Sequence, residues 1–105
     1  MFDFMYLSLY KDFVEKVQNR KLVLFGAGAN TPHTINSHFR HDDIFAIWDN
    51  EPSKHGKQIF GITVTPPFTG AGADDCVVII TISDEIALSA ITAQLKDGGI
   101  EHIYP

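Results

Sequence analysis

The residues able to do chemistry in this chain are few and clustered. Two glycines, Gly26 and Gly28, interrupt the segment KLVLFGAGANT from Lys21 to Thr31, and an acid, Asp49, stands 23 positions after the first glycine with an amide, Asn50, beside it. Gly26 at the end of an apolar run permits a tight turn, and Gly28 lets backbone approach a ligand that a Cβ would hold off. The first amides of a helix are unsatisfied donors at the positive end of its dipole. The stretch Gly26, Ala27, Gly28, Ala29, Asn30 and Thr31 is therefore a candidate cradle for a phosphate. A carboxylate about twenty residues past such a turn, at the tip of the next strand, accepts hydrogen bonds from a ribose diol. The other reading of Asp49 and Asn50 is local: both residue types fold turns such as DNEPSKHG through side-chain to backbone bonds. Thr81 and Ser83 offer hydroxyls to the same region or cap the helix that follows, and capping is the preferred reading of Ser83.

Other chemistries find no footing. Cys76 opens an apolar run, where a thiol is ordinarily inert packing. His33, His38, His41 and Asp42 lie close in sequence, but a zinc site needs three or four convergent ligands, and they are read as surface residues. There is no Tyr-x-x-x-Lys pair and no G-x-S-x-G elbow. No catalytic residue and no metal ligand is assigned.

The elements that must position these residues follow from periodicity. Leu22 to Phe25 is uniformly apolar, the pattern of a parallel strand covered on both faces. Thr31 as N-cap and Pro32 in the first turn start a helix from Pro32 to about Phe39, held by Ile35 and Phe39. Asp43 to Trp48 is a second strand, and Lys57 to Val64 a hairpin or bent third strand about Gly61. Pro66 and Pro67 stop it. The second GAGA, Gly70 to Ala73, precedes a strand instead of opening a helix and is read as linker. Cys76 to Ile82 is a β-branched fourth strand. Ser83 or Asp84 caps a helix whose stripe is Leu88, Ile91 and Leu95, ended by Gly98, and Ile100 to Tyr104 is an edge strand. This succession specifies an α/β fold, a three-layer Rossmann-like parallel sheet in the order 3-2-1-4-5. Its switch point lies between the first and fourth strands, so a ligand crevice is lined by Gly26 to Thr31 on one side and Thr81, Ile82 and Ser83 on the other.

Residues 1–20 read as an additional amphipathic helix with Tyr6, Tyr10, Phe13, Val14 and Val17 on one side, preceding a domain over 21–105. It packs on the sheet, or its surplus aromatics Phe2, Phe4 and Tyr6 contact a second copy or an attached catalytic domain. The net charge of −5 and the scattered eight basic residues argue against a nucleic-acid surface. A single cysteine excludes a disulfide framework. No apolar run reaches membrane-spanning length, and the start lacks the pattern of a secretory signal, so a cytoplasmic location is expected.

The combination VLFGAGA, a strand ending WDNEPSKHGKQIFGITVTPP, and CVVIITISDEIALSAITAQLKDGGIEHIY resembles the small Rossmann-like domains attached to sugar-modifying proteins of bacterial surface-polysaccharide synthesis. The resemblance covers about residues 21–105 and is most distinctive at Asp49 with Asn50, at Gly56 to Val64 and at Gln94 to Ile100. Such domains accompany nucleotide-sugar dehydratases, sugar acetyltransferases, methyltransferases and glycosyltransferases. The resemblance implies binding of NAD(P) or a nucleotide sugar, with Gly26, Gly28 and Asp49 carried over. Thr31 and Pro32 stand where the dinucleotide fingerprint has its third glycine.

The expectation is therefore a nucleotide-binding domain without a complete catalytic site in this chain. The alternative is a degenerate scaffold or dimerisation module that binds no cofactor. An open groove over Gly28 with Asp49 facing it favours the first; a filled groove favours the second.

Overall fold

The computed structural model describes residues 20–72 and 75–104. The helix expected over 1–20 lies outside the described residues, apart from Arg20. Strand β1 (Lys21–Phe25) leads through the glycine turn into α1 (Thr31–His38), then β2 (Ile44–Trp48), the hairpin β3 (Gln58–Ile59) and β4 (Ile62–Thr65), β5 (Cys76–Ile80), α2 (Glu85–Asp97) and β6 (His102–Tyr104). They form one sheet in the order β3-β4-β2-β1-β5-β6. Every pairing is parallel except the β3–β4 hairpin. The expected order 3-2-1-4-5 is present, with the hairpin filling the third place.

The apolar runs divide between two faces because side chains alternate along a strand. Leu22, Leu24, Ile44, Ile47 and Val64 pack with Ile35 of α1. Val23, Phe25, Ala46, Trp48, Val78 and Ile80 pack with Ile91 and Leu95 of α2 on the other side. The two helices thus form the outer layers, and β1 is buried on both faces as its composition requires. The β1–β2 register slips between Leu22 and Val23, which leaves Phe45 as an extra residue in β2 and 45% exposed.

The return from β4 to β5 uses no helix among its described residues. Instead, Phe68 sits beside Trp48 with ring centroids 5.6 Å apart, and the Trp48 indole N–H donates to the Thr69 carbonyl at 3.2 Å. Phe68 holds a positive φ of 67° to do so, and a Cβ on Gly98 would overlap its ring.

One helix start matches an expected cap and the other is shifted by one residue. Asp84, not Ser83, caps α2 by accepting the Ala87 N–H at 2.8 Å. Asn30 is the N-cap position of α1, and Thr31 lies inside the helix. The Thr31 hydroxyl turns inward instead and donates to the buried Gly26 carbonyl at 2.8 Å.

Candidate functional site

The site grows from the turn that ends β1. Gly26 has φ of +122° and donates its N–H to the Trp48 carbonyl at 2.8 Å. A Cβ there would stand 2.6 Å from Thr81 Oγ1 and 3.0 Å from Ile82 Cγ1. Gly26 is thus required by conformation and by the close approach of the segment after β5. Its carbonyl accepts from Thr31 at 2.8 Å and lies 3.2 Å from the Thr81 hydroxyl, which also reaches the Phe25 carbonyl at 3.1 Å. The two threonines knit the first and fifth strand ends together at the switch point.

Beyond this knot the loop opens. Gly28, Ala29 and Asn30 are exposed, and nothing lies within 4 Å of where a Gly28 Cβ would be. Among the described residues, the N–H groups of Gly28, Ala29 and Asn30 have no protein acceptor. They stand at the positive end of α1, a setting that favours an anion. Ser83, freed from capping, is exposed and has no hydrogen-bond partner among the described residues.

Asp49 behaves otherwise than a free ribose acceptor. It is 7% exposed. Its Oδ2 accepts the Ala27 N–H at 2.8 Å and lies 3.8 Å from Lys54 Nζ, while Oδ1 accepts the Glu51 N–H at 2.8 Å. The carboxylate therefore folds its own turn, as the local reading of the sequence has it, and also clasps the glycine loop from beneath. Its backbone is fixed as well: the N–H donates to the Thr65 carbonyl at 3.1 Å, and His55 Nε2 donates to its carbonyl at 2.6 Å. Asn50 points away from the loop and exchanges two hydrogen bonds with Gln94 of α2, each 2.9 Å.

The structure thus brings Gly26, Ala27, Thr31, Asp49 and Thr81 into one hydrogen-bonded group, leaves Gly28, Ala29, Asn30 and Ser83 open beside it, and sends Asn50 to α2. The space over Gly28 is open, while the Asp49 carboxylate is engaged by the Ala27 and Glu51 amides. Sequence reasoning missed Gln94 and His55. Gln94 lies in the distinctive QLKDGGI stretch, and nothing in its spacing reveals that it meets a residue 44 positions earlier.

The other candidates stay apart. Cys76 is buried, and burial first, then Asp75, pushes its thiol above the ordinary value, with Lys21 opposing. His41 stacks on Phe60 with ring centroids 4.4 Å apart and bonds Asn36 Oδ1 at 3.1 Å. Among the described residues no three His, Cys, Asp or Glu side chains group as a metal site would require. No described helix is long and apolar enough to cross a membrane. A cavity of about 380 Å³ bounded by Arg20, Val77, His102 and Tyr104 gathers none of the predicted residues; Val77 pairs with Leu22, at the far end of β1 from the loop.

Comparison with solved structures supports the architecture independently of the residues. The fold is shared with RSP, a Rex-family repressor. The chain superposes on that structure with a TM-score of 0.51 and 20% identity, covering 91% of this chain and 50% of that one. The structure of RSP in complex with β-NADH gives the same score and identity, with 51% of that chain covered. This chain therefore spans about half the length of the proteins it matches, and the likeness is one of Rossmann-like fold. No family model matches the sequence, and no curated protein matches it.

Proposed function

We propose that this chain is a nucleotide-binding domain that holds the phosphates of an NAD(P)-type dinucleotide over Gly28. The observation that carries the reading is the row of unpartnered amides at Gly28, Ala29 and Asn30, exposed beneath open space at the start of α1. The Rossmann-like fold of RSP, solved with β-NADH, supports the same ligand class. In this reading the loop amides take phosphate oxygens and Ser83 adds a hydroxyl. Asp49 mainly holds the loop: a carboxylate has about four acceptor positions, and amides of Ala27 and Glu51 and the ammonium of Lys54 already address this one. Adenine dinucleotides and nucleotide sugars share the diphosphate these amides would bind, so the sugar-nucleotide class suggested by the sequence stays within the test, without support from the fold comparison. The reading assigns binding to the chain and no reaction.

A second reading has its own observation. Asp49 and Asn50 are both spent on internal bonds, which is the state of a scaffold that has given up its ligand.

Calorimetric titration with NADH, NADPH and UDP-glucose, on the wild-type chain and on Gly28→Val, separates the two. The expected result is saturable binding of NADH or NADPH, weakened at least tenfold by Gly28→Val with the fold intact. Tighter binding of UDP-glucose transfers the assignment to nucleotide sugars. No heat with any of the three leaves the scaffold reading standing.

A further inference from the structure

We infer that Gln94 is a positioning residue for the glycine loop, acting from α2 through the Asp49–Asn50 corner; the part of this inference that concerns ligand affinity rests on the nucleotide-binding reading. The two side-chain amides meet head to tail, with Asn50 Nδ2 donating to Gln94 Oε1 and Gln94 Nε2 donating to Asn50 Oδ1, both at 2.9 Å. Among the described residues these are the side-chain hydrogen bonds that tie α2 to the turn after β2. The rest of that contact is apolar, through Ile91 and Leu95 against Trp48, Phe25 and their neighbours. The hydrophobic effect behind that apolar contact is non-directional. A reciprocal amide pair is directional and adds a geometric tie to that contact.

What the pair fixes is the peptide next to Asp49. That residue is tied to β4 through its N–H, to the turn after β2 through His55 and Glu51, and to the glycine loop through Ala27. Asn50 supplies the tie in the remaining direction, toward α2. The bond from Ala27 to Asp49 is a charge-assisted one to a residue that is 7% exposed, and a hydrogen bond weakens steeply as its alignment is lost. Removing Gln94 frees Asn50 to water, and the corner that aims Oδ2 at Ala27 loses one of its ties. The amides of Gly28, Ala29 and Asn30 follow Ala27 directly in the chain, so their presentation depends on the same aim. The control therefore comes from the opposite face of the sheet to α1, the helix that the loop opens.

The pair itself is solvent-exposed and contributes little to global stability, so the test reads geometry. Hydrogen exchange of the Ala27 amide is followed by NMR on the full chain, with the Gly26 amide, bonded to the Trp48 carbonyl, as internal reference. In Gln94→Ala, exchange at Ala27 is expected to accelerate about fivefold relative to Gly26, as loss of a modest net hydrogen-bond contribution would produce. The exchanged pair, Asn50→Gln with Gln94→Asn, keeps both amides and the total side-chain length and is expected to restore wild-type exchange. Unchanged exchange in Gln94→Ala overturns the inference. So does equal acceleration in both variants, because the cause would then be α2 packing and not pairing. NADH titration is the second arm, with the dissociation constant expected to rise about fivefold in Gln94→Ala and recover in the exchanged pair. A wild-type chain that binds no NADH refutes the dinucleotide reading alone, and the exchange arm then decides the positioning role.

Discussion

Gly26 and Gly28 stand two positions apart and answer to different constraints. At Gly26 the backbone is in the left-handed region, and a Cβ would press on Thr81 and Ile82. At Gly28 the space is open, and φ lies outside the region that favours glycine. Gly26→Ala should therefore destabilise the fold by about 2 kcal/mol, combining backbone incompatibility and overpacking, a fall in melting temperature of roughly 8 to 16 °C for a domain of this size. Gly28→Ala should leave stability within about 0.5 kcal/mol or raise it slightly through the unfolded state. Thermal denaturation of the two variants side by side measures the contrast; equal losses would show that both glycines serve the turn. The sequence marks both as glycines of a strand-end loop but cannot divide the tasks, because the division depends on Thr81 and Ile82 arriving from 55 and 56 residues away. The same holds for Asp49. Its position after β2 is legible from spacing, but its burial and its bond from the Ala27 amide depend on how the corner packs.

At the scale of elements, the least legible part is the crossover from β4 to β5. Pro66, Pro67 and the glycines that follow read as linker, and they contain no helical period. The structure gives that segment a core task through one residue, since Phe68 packs beside the buried Trp48 ring and rests against Gly98 at the end of α2. The strands and both helices were legible because continuous apolar runs and a three-and-four stripe are properties of the local sequence. The start of α2 was legible as Ser83 or Asp84, both good caps by type, while that of α1 was legible only to within one residue, because the Thr31 hydroxyl is taken by the buried Gly26 carbonyl. Phe68→Ala is expected to cost about 2 kcal/mol, below the 3 to 5 kcal/mol of a fully buried phenylalanine, because the residue is 38% exposed. Trp48 is the only tryptophan, so its emission should shift to the red as water reaches the uncovered ring. Stability loss without an emission shift would place Phe68 away from the indole in solution.

At the scale of the whole molecule, the sheet order puts β1 between strands whose connections depart in opposite directions, and the loop amides lie at that divergence. The electrostatics of such a site have a sign that can be worked out. The chain carries a formal charge of −5, and a dinucleotide diphosphate is also anionic. The segment Gly26 to Thr31 has no lysine or arginine, and the nearby Lys54 ammonium faces Asp49. On the dinucleotide reading, attraction therefore comes from short-range amide dipoles, which salt screens weakly at contact, while repulsion comes from the long-range net charge, which salt screens well. The Debye length shortens from about 30 Å at 0.01 M to about 8 Å at 0.15 M ionic strength. Over that interval NADH affinity is expected to stay level or rise by about twofold as the net repulsion is removed. A site built on exposed lysines or arginines would lose affinity over the same interval. Titration of NADH at the two sodium chloride concentrations reads the sign directly, and a marked loss at the higher one would mean that cationic side chains, not the amides of Gly28, Ala29 and Asn30, hold the phosphates.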